Sequence, residues 1–391
     1  MQYERFTLMY ETTNNIWKRT WAEIDINNLK YNYQTIKKML PSNTKTCCVV
    51  KANAYGHGAQ EIAKALQTEG ADWFAVSNIS EALEIRECGI KRPILILGYT
   101  PCDCAELLSK NNISQCVYSL EYAKKLSNHA QRANCTVNIH IKIDTGMGRI
   151  GFDGFNESST DAIFEACKLK NLTPEGIFTH FAKADCGEVG RGFTVNQFSQ
   201  FESIINKLHS KGVSFKLKHC SNSAAIVDFP EFSLDMVRPG IILYGLQPSP
   251  LIKNKIKLLP VMQLKTVISY IKEVAPNTPI SYGSEYITKN KQRIATIPIG
   301  YADGLWCSNF RNKTKVLVNN TLVPVVGRIC MDQTMIDVST QNKVREGDEV
   351  IIFGDKDGII SADSLAHNNH SIGYEVICSI SNRVPRIYIN L

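Results

Sequence analysis

One lysine in this chain stands where a charged side chain is unusual, directly after the apolar run at residues 46–50. Burying an ammonium group is unfavourable, so a lysine on such a strand has two interpretations. Lys51 either ends the strand with its amine reaching solvent, or it is an uncharged amine nucleophile that forms a covalent bond with a carbonyl compound. The sequence pattern around Lys51 leaves both open.

Small hydroxyl and amide donors lie at or near the ends of two later predicted strands. Ser223 comes just after residues 215–221, and Gly240 and Ile241 lie within residues 236–244. Backbone amides and hydroxyls at strand ends are typical phosphate ligands. Three further candidates end or follow predicted strands, namely Arg149, His180 and Arg238. Together these positions predict a phosphate-bearing cofactor beside an amine nucleophile.

These residues must be positioned by the strands that precede them, and the first two thirds of the chain alternates strands with helices. The predicted strands are residues 46–52, 73–77, 93–99, 115–119, 137–144, 175–180, 215–221 and 236–244, with helices such as 58–68, 79–88 and 195–209. Eight such units predict an α/β fold with a (β/α)8 TIM barrel, placed at residues 22–256. A doubly wound sheet is the competing architecture.

The pattern changes after residue 256. Short strands then follow one another with few helices, at residues 261–274, 293–298, 315–318, 321–330, 334–338 and 349–353. This predicts a second, mostly antiparallel β domain over residues 257–391, with one helix at 361–367. Residues 1–21 are expected to contribute to it, since Trp21–Ile26 is an extra strand before the barrel.

Composition excludes several classes of protein. The 391 residues carry a net charge of +7 from scattered Lys and Arg, so no nucleic-acid partner is expected. No apolar run is long enough to span a membrane, and no secretory signal precedes Thr20, so a cytoplasmic protein is expected. The 13 dispersed cysteines indicate reduced thiols. His367 and His370 have no third ligand nearby, so no metal site is predicted.

Nine segments in chain order carry a resemblance to a known family. In the barrel they are VVKANAYGHG at 49–58, KIDTGMGR at 142–149, THFA at 179–182, NSAA at 222–225 and VRPGIILYG at 237–245. In the β domain they are SYG at 281–283, GYADG at 300–304, GRICMD at 327–332 and IGYE at 372–375. On these motifs the chain resembles alanine racemase, a pyridoxal-phosphate enzyme family, from about Trp21 to Leu391.

The resemblance implies a role for each matching residue. Lys51 would carry pyridoxal 5'-phosphate and act as acid and base on one face of the substrate, and Tyr282 of the partner subunit would act on the other. It also implies a homodimer with shared sites that interconverts L- and D-alanine and supplies D-alanine for peptidoglycan. The implied cofactor ligands are Tyr55, His180, Ser223, Arg238, Gly240, Ile241 and Tyr374.

The resemblance also implies how alanine is held and admitted. Arg149 and the Met331 amide would hold the substrate carboxylate, and Lys142 is the candidate for carbamylation. The corridor through which substrate enters would be lined by Asp185, Tyr301, Arg328 and Ile372. One departure concerns this corridor: after residues 300–304 the family usually carries an arginine, whereas here Leu-Trp-Cys-Ser stands at 305–308. The loss of charge at Cys307 is expected to change KM more than kcat.

Several alternatives within and outside the family stay open. A serine or broad-specificity racemase is one, although the expected lack of a membrane segment or signal disfavours the membrane-bound and periplasmic forms. An amino-acid decarboxylase shares the two-domain plan, but the Lys51 and Tyr282 motifs resemble those of racemases. A non-catalytic pyridoxal-phosphate carrier would lack the β domain. A dehydrogenase would need the glycines at 146–151 to bind a dinucleotide, and their place after the fifth strand argues against it.

Overall fold

The computed structural model describes residues 18–311, 314–355 and 357–391. They form two compact units, one over residues 26–261 and the other over residues 18–25 together with 262–389. The first unit is a parallel barrel and the second is a largely antiparallel β domain, so the predicted fold class is confirmed. The competing doubly wound sheet is not found in the described residues.

Eight parallel strands in the described part of the first unit form the barrel. They are Lys45–Val49, Trp73–Val76, Ile94–Ile96, Ile113–Val117, Val137–Asp144, Leu172–Phe178, Leu217–His219 and Met236–Val237. The first to the seventh strands pair in sequence, and the eighth pairs with the first. The seventh and eighth strands meet through two backbone hydrogen bonds, Asp235 N to Lys218 O (3.1 Å) and Arg238 N to Ser221 O (3.0 Å). The ring of strands is therefore closed.

Helices connect the strands, and local sequence explains where they begin and end. Three of these helices are capped at the N-terminus by Asn78, Ser119 and Asn222, whose side chains each accept a backbone N–H from the first turn. Gly70 and Gly89 follow two helices with positive φ, as C-terminal glycines do. The helices are Ile26–Met39, Lys51–Tyr55, Ala59–Thr68, Ile79–Glu87, Ala105–Lys110, Leu120–Arg132, Ser158–Cys167, Gly187–Ser210 and Ser223–Asp228, with 3-10 turns at Cys102–Cys104, Pro230–Phe232 and Ile241–Tyr244. A two-residue strand, Phe152–Asp153, pairs in parallel with the C-terminal end of the fifth strand.

The barrel strands are buried on both faces, which explains their continuous apolar runs. Cys47–Val49, Phe74–Val76 and Ile94–Ile96 are all almost inaccessible to solvent. Polar side chains are also buried in the barrel, among them His140 and Lys142 on the fifth strand and His219 on the seventh. These polar side chains mark the part of the barrel interior that is built for something other than stability.

The second unit is a nine-stranded sheet with a small two-stranded ribbon. The sheet strands, in spatial order, are Tyr270–Val274, Gln292–Ile297, Thr334–Asp337, Thr321–Val326, Lys315–Val318, Glu349–Phe353, Met262–Val267, Thr20–Asp25 and Arg386–Ile389. The ribbon pairs Pro279–Ile280 with Tyr286–Ile287. The helical elements are Tyr282–Ser284, Tyr301–Asp303, Ser308–Arg311, Ala362–Asn368 and Gly373–Cys378.

Three details differ from the sequence-based expectation. Residues 22–25, assigned above to the barrel, pair instead with Met262–Val267 and Arg386–Ile389 in the second sheet. The eighth strand ends at Val237 rather than at Tyr244, because Pro239 and Gly240 break it. The first strand ends at Val49, so Lys51 does not end the strand but opens the turn that follows it.

Candidate active site

Lys51 begins a left-handed turn at the carboxyl end of the first barrel strand. Ala52, Asn53, Ala54 and Tyr55 all have φ between 51° and 53°. This conformation is unfavourable by roughly 1–2 kcal/mol per residue for L-amino acids other than glycine, and asparagine tolerates it best. A run of four such residues therefore persists only because surrounding contacts hold it.

Glu81 and Asn53 supply side-chain contacts to this turn. The Glu81 carboxylate accepts the N–H of Ala52 at 2.8 Å and that of Ser77 at 2.7 Å, which ties the ends of the first two strands together. The Asn53 side chain accepts the N–H of Ala59 at 2.8 Å. The turn thus fixes the backbone on both sides of Lys51 and directs Tyr55 back into the barrel.

Tyr55, Ser223 and Gly240 converge at the same end of the barrel. The Ser223 hydroxyl accepts the Gly240 N–H at 2.9 Å. A Cβ at Gly240 would lie 2.8 Å from the Tyr55 hydroxyl and 3.7 Å from the Ser223 hydroxyl, so only glycine leaves this space open. The Tyr55 ring packs on Tyr244, which donates to the Val49 carbonyl at 2.9 Å. The two hydroxyls beside Gly240, whose N–H orients that of Ser223, make a cradle suited to a phosphate group.

Arg238 lies deeper in the barrel and is 3% exposed. Its guanidinium donates to the carbonyls of Thr179 (2.8 Å) and Cys220 (3.0 Å) and to Nδ1 of His219 (2.7 Å), and it lies 3.5 Å from Nδ1 of His180. Burial lowers its pKa to about 10, so it remains a cation at neutral pH. These four partners are all neutral groups, which leaves the positive charge available to an incoming ligand.

Lys142 and His180 share this positive environment. Burial lowers the pKa of Lys142 to about 8, with nearby Arg238 and Arg149 adding to the effect. Its ammonium donates to the Ile143 carbonyl at 2.8 Å. Burial, followed by the charge of Arg238, holds the pKa of His180 well below its ordinary value, so this imidazole is neutral at pH 7. A pocket with this excess of positive charge favours an anionic ligand.

Arg149 is positioned by a carboxylate-centred turn. Asp144, at the end of the fifth strand, accepts the backbone N–H groups of Gly146, Met147 and Gly148 on one oxygen and that of Arg149 on the other, at 2.8–3.1 Å. Burial raises the pKa of Asp144, but these donors outweigh it and lower the pKa overall. The glycine-rich motif at 146–151 is therefore a loop that wraps a carboxylate, and no helix opens on it to bind a dinucleotide.

Most of the remaining predicted residues lie in loops and short helices of the β unit. The side chain of Tyr282 is 69% exposed and that of Met331 is 52% exposed. The two loops are adjacent, because the Ser281 hydroxyl donates to the Arg328 carbonyl at 2.6 Å. Tyr301 N–H donates to the Cys330 carbonyl at 3.0 Å, which adds a third loop to the cluster.

A buried carboxylate holds this loop cluster. Asp303 accepts hydrogen bonds from both terminal nitrogens of the Arg19 guanidinium at 3.2 Å and from the Gly300 N–H at 2.9 Å. It also lies 3.4 Å from Nε of Arg383. Arg383 also pairs with Asp332 at 2.7 Å. The backbone around Met331 is thereby fixed although its side chain is exposed.

Two family models match the chain over almost its whole length. They are "Alanine racemase, N-terminal domain" over residues 24–248 and "Alanine racemase, C-terminal domain" over residues 261–388. The chain belongs to the alanine racemase family.

Individual alanine racemases agree over nearly full length. The enzyme of Clostridium tetani is 48% identical and "Alanine racemase 2" of Caldanaerobacter subterraneus subsp. tengcongensis is 47% identical, each over 371 residues covering 94–95% of this chain and 95% of the relative. The solved alanine racemase of Clostridium difficile 630 is 46% identical with a TM-score of 0.91, covering 96% of this chain and 97% of its own. The resemblance read from the motifs and the expected class of enzyme, an amino-acid racemase, are confirmed.

The racemase motifs fall into two sets in the structure. The barrel unit brings together Tyr55, Ser223, Gly240 and Ile241 at the cradle described above, with Lys51 on the turn that leads to it. His180 and Arg238 are in contact below, and Asp185 is exposed on the loop before Gly187–Ser210. The β unit carries Tyr282, Tyr301, Arg328, Met331, Ile372 and Tyr374 on its loops and short helices. In the departure at 305–308, Leu305 is buried and Cys307 is exposed.

Sequence reasoning missed the residues that support the site. Asp144, Glu175, Asp303, His140 and His219 were not singled out as candidates. A signal existed for His140, because it and Lys142 lie two residues apart on a strand in which polar and apolar residues alternate. No comparable pattern marks Glu175 or Asp303, whose roles depend on residues distant in sequence.

Proposed function

We propose that this racemase interconverts L- and D-alanine with pyridoxal 5'-phosphate bound to Lys51. The observation that carries the proposal is the cradle formed by Tyr55, Ser223 and Gly240 beside the turn that Lys51 opens. A phosphate-bearing aldehyde cofactor needs both a phosphate site and an amine within the same pocket.

The residues present fit this cofactor. Tyr55, Ser223 and the amides of Gly240 and Ile241 would hold its phosphate, with Tyr374 as a further ligand, and Arg238 would face its ring nitrogen. When bound, the cofactor delocalises the electrons left when the Cα proton of the amino acid departs. Arg238 holds its own protons firmly, so it would donate a hydrogen bond to the ring nitrogen without protonating it.

Arg149 and the backbone amide of Met331 would bind the substrate carboxylate. Both are supported for this task, Arg149 by the turn around Asp144 and Met331 by the loop cluster around Asp303. Lys142 is the candidate for carbamylation, because an amine with a pKa of about 8 is partly neutral at pH 7 and can add carbon dioxide.

Two proton donors on opposite faces of Cα are needed to exchange its configuration. Lys51 would serve one face, and Tyr282 of the partner subunit the other, in a homodimer. In support, Tyr282 is exposed on its own chain and its backbone is held by the Ser281–Arg328 hydrogen bond. His180 would orient that tyrosine from the barrel side, and Asp185, Tyr301, Arg328 and Ile372 would line the corridor.

No helix among the described residues is long and apolar enough to cross a membrane. We place the reaction in the cytoplasm, where it would supply D-alanine for peptidoglycan.

Mixed dimers test the shared site. Lys51→Ala and Tyr282→Phe variants are each expected to be inactive, but a 1:1 mixture of chains that have exchanged subunits would recover about a quarter of the wild-type activity, as two-fold symmetry gives half of the dimers one intact site. Recovery that fails to appear in verified mixed dimers would mean that Lys51 and Tyr282 act within one chain or that one of them is not catalytic.

A further inference from the structure

Four side chains form a continuous line across the barrel interior from Arg238. Nη1 of Arg238 lies 2.7 Å from Nδ1 of His219, and Nε2 of His219 lies 2.9 Å from Nδ1 of His140. Nε2 of His140 lies 3.6 Å from Oε2 of Glu175. The same carboxylate oxygen accepts the Ser114 hydroxyl at 3.0 Å. The line therefore ends on an oriented carboxylate.

The chemistry of arginine fixes every hydrogen in this line. A guanidinium has only donors, so Nδ1 of His219 must present its lone pair to Arg238. His219 is then protonated at Nε2 and donates to His140, whose Nδ1 must accept. His140 is in turn protonated at Nε2, and that hydrogen points to Glu175.

Burial supports one hydrogen on each imidazole. Both rings are inaccessible to solvent. Burial, then the charge of Arg238, holds the pKa of His219 well below its ordinary value. Burial also lowers the pKa of His140, although Glu175 partly opposes it. For Glu175, burial raises the pKa, but the contacts with His140 and Ser114 outweigh it, so the carboxylate stays ionised.

We propose that Glu175 is a positioning residue for Arg238, acting through His140 and His219, because its carboxylate lies 3.6 Å from the His140 nitrogen that carries a hydrogen in the only compatible pair of tautomers. Its bearing on catalysis rests on the proposed function, in which Arg238 faces the cofactor ring. His140 Nε2 has no hydrogen-bond partner among the described residues, so the nearby negative charge of Glu175 is what favours a hydrogen at this nitrogen. The opposite tautomer of His140 would set two hydrogens against each other between the rings, so the disturbance would reach Arg238.

Nitrogen-15 NMR of the cofactor-loaded enzyme, labelled at its eight histidines, tests the tautomers directly. The two signals are assigned by their loss in His140→Gln and His219→Gln. Both imidazoles are expected to be neutral and protonated at Nε2. A signal showing Nδ1 protonation or an imidazolium at either ring would overturn the proposal, and this measurement needs no variant of Glu175.

Variants then test the coupling to Arg238. Glu175→Ala is expected to change the nitrogen shifts of both rings and to lower kcat about tenfold, the effect of removing the charge that favours one buried hydrogen, with KM for alanine nearly unchanged. Glu175→Gln, whose amide oxygen can still accept, is expected to restore the shifts and most of kcat. Glu69→Ala is the matched control, since that half-buried glutamate accepts a hydrogen bond from the neutral Gln34 amide at 2.8 Å.

The outcomes separate this inference from the proposed function. Wild-type shifts and kcat in a folded Glu175→Ala enzyme would overturn the positioning role even if alanine is racemised normally. If the predicted tautomers are found in a protein that does not racemise alanine, the arrangement of the two histidines is supported and alanine is not the substrate.

Discussion

Lys142 shows how one buried residue can report on the state of the site. It lies inside the barrel with a pKa of about 8 and contacts Phe178 through its ammonium group. In the unfolded chain its pKa returns to 10.5. The folded state therefore releases its proton at lower pH than the unfolded state, which disfavours folding while both forms are protonated.

This shift predicts how stability depends on pH. Below pH 8 the penalty for the buried charge is fully present, and it disappears as pH rises from about 8 towards 10.5. In carbonate-free buffer, the unfolding free energy of wild type relative to Lys142→Met should thus rise with pH by about 3 kcal/mol in total. Chemical unfolding of both proteins across this range measures it, with the exposed Lys124→Met as control.

Carbamylation would remove that dependence. A carbamate is no longer a titrating amine, so added bicarbonate should flatten the difference between wild type and Lys142→Met. A flat difference in carbonate-free buffer as well would contradict burial of Lys142 as a free amine.

Two local elements carry most of the geometry of the site, and both are turns at strand ends. The first is the left-handed turn over Ala52–Tyr55, where the backbone conformation itself is unfavourable. The second is the loop over residues 146–149, held by four hydrogen bonds to Asp144. Neither turn is stabilised by apolar packing alone, so each can be altered by a single substitution.

The left-handed turn predicts an unusual response to glycine. Ala52→Gly should raise the unfolding free energy by about 0.5 kcal/mol, because relief of the left-handed strain exceeds the entropy that glycine adds to the unfolded chain. Ala65→Gly, in the ordinary helix Ala59–Thr68, should lower it by about 1 kcal/mol. Urea unfolding compares the two. If both substitutions destabilise equally, the turn after Lys51 is not left-handed in solution.

The Asp144 loop predicts a defect in substrate binding. Asp144→Ala removes the acceptor for four backbone N–H groups and should displace Arg149, raising KM for alanine about tenfold with a smaller change in kcat. Asp153→Ala is the control, as Asp153 accepts one N–H, that of Phe155, nearby in the chain. Steady-state kinetics in both directions would show the difference. An unchanged KM in folded Asp144→Ala would contradict the role of this loop in placing Arg149.

An element could be predicted from the sequence when the residues that determine it lie close together in the chain. Apolar runs such as Trp73–Val76 and Ile94–Ile96 are buried on both faces, so composition alone marks them as barrel strands. The strand Arg386–Ile389 was missed because its partner, Thr20–Asp25, lies more than 300 residues away in the chain. The helix Gly373–Cys378 was also missed, being too short for a clear period.

The same limit applied within the site. The motifs marked Lys51 and Arg238, whereas the link from Arg238 to Glu175 exists only because the fifth, sixth and seventh strands are neighbours in the barrel. In sequence, the glycines after Asp144 resemble a dinucleotide-binding motif. In the structure they wrap the Asp144 carboxylate instead.

At the scale of the whole molecule, the two units divide the chemistry. The barrel unit carries the proposed cofactor site, and the β unit carries Tyr282 and Met331 on loops that Asp303, Arg19 and Arg383 hold in place. Arg19 precedes the first strand of the chain, so the start of the described chain helps to fix loops near residues 300 and 330. An enzyme built this way needs both units folded before either set of residues can act on alanine.

The most direct test of the central claim is hydrogen exchange at Cα of alanine. The cofactor-loaded enzyme is incubated with L-alanine in D2O and followed by proton NMR, with Lys51→Ala as control. The account predicts that the Cα–H signal disappears and D-alanine accumulates with wild type, and that neither happens with the variant. Full loading with pyridoxal phosphate without exchange on alanine would contradict the proposed reaction.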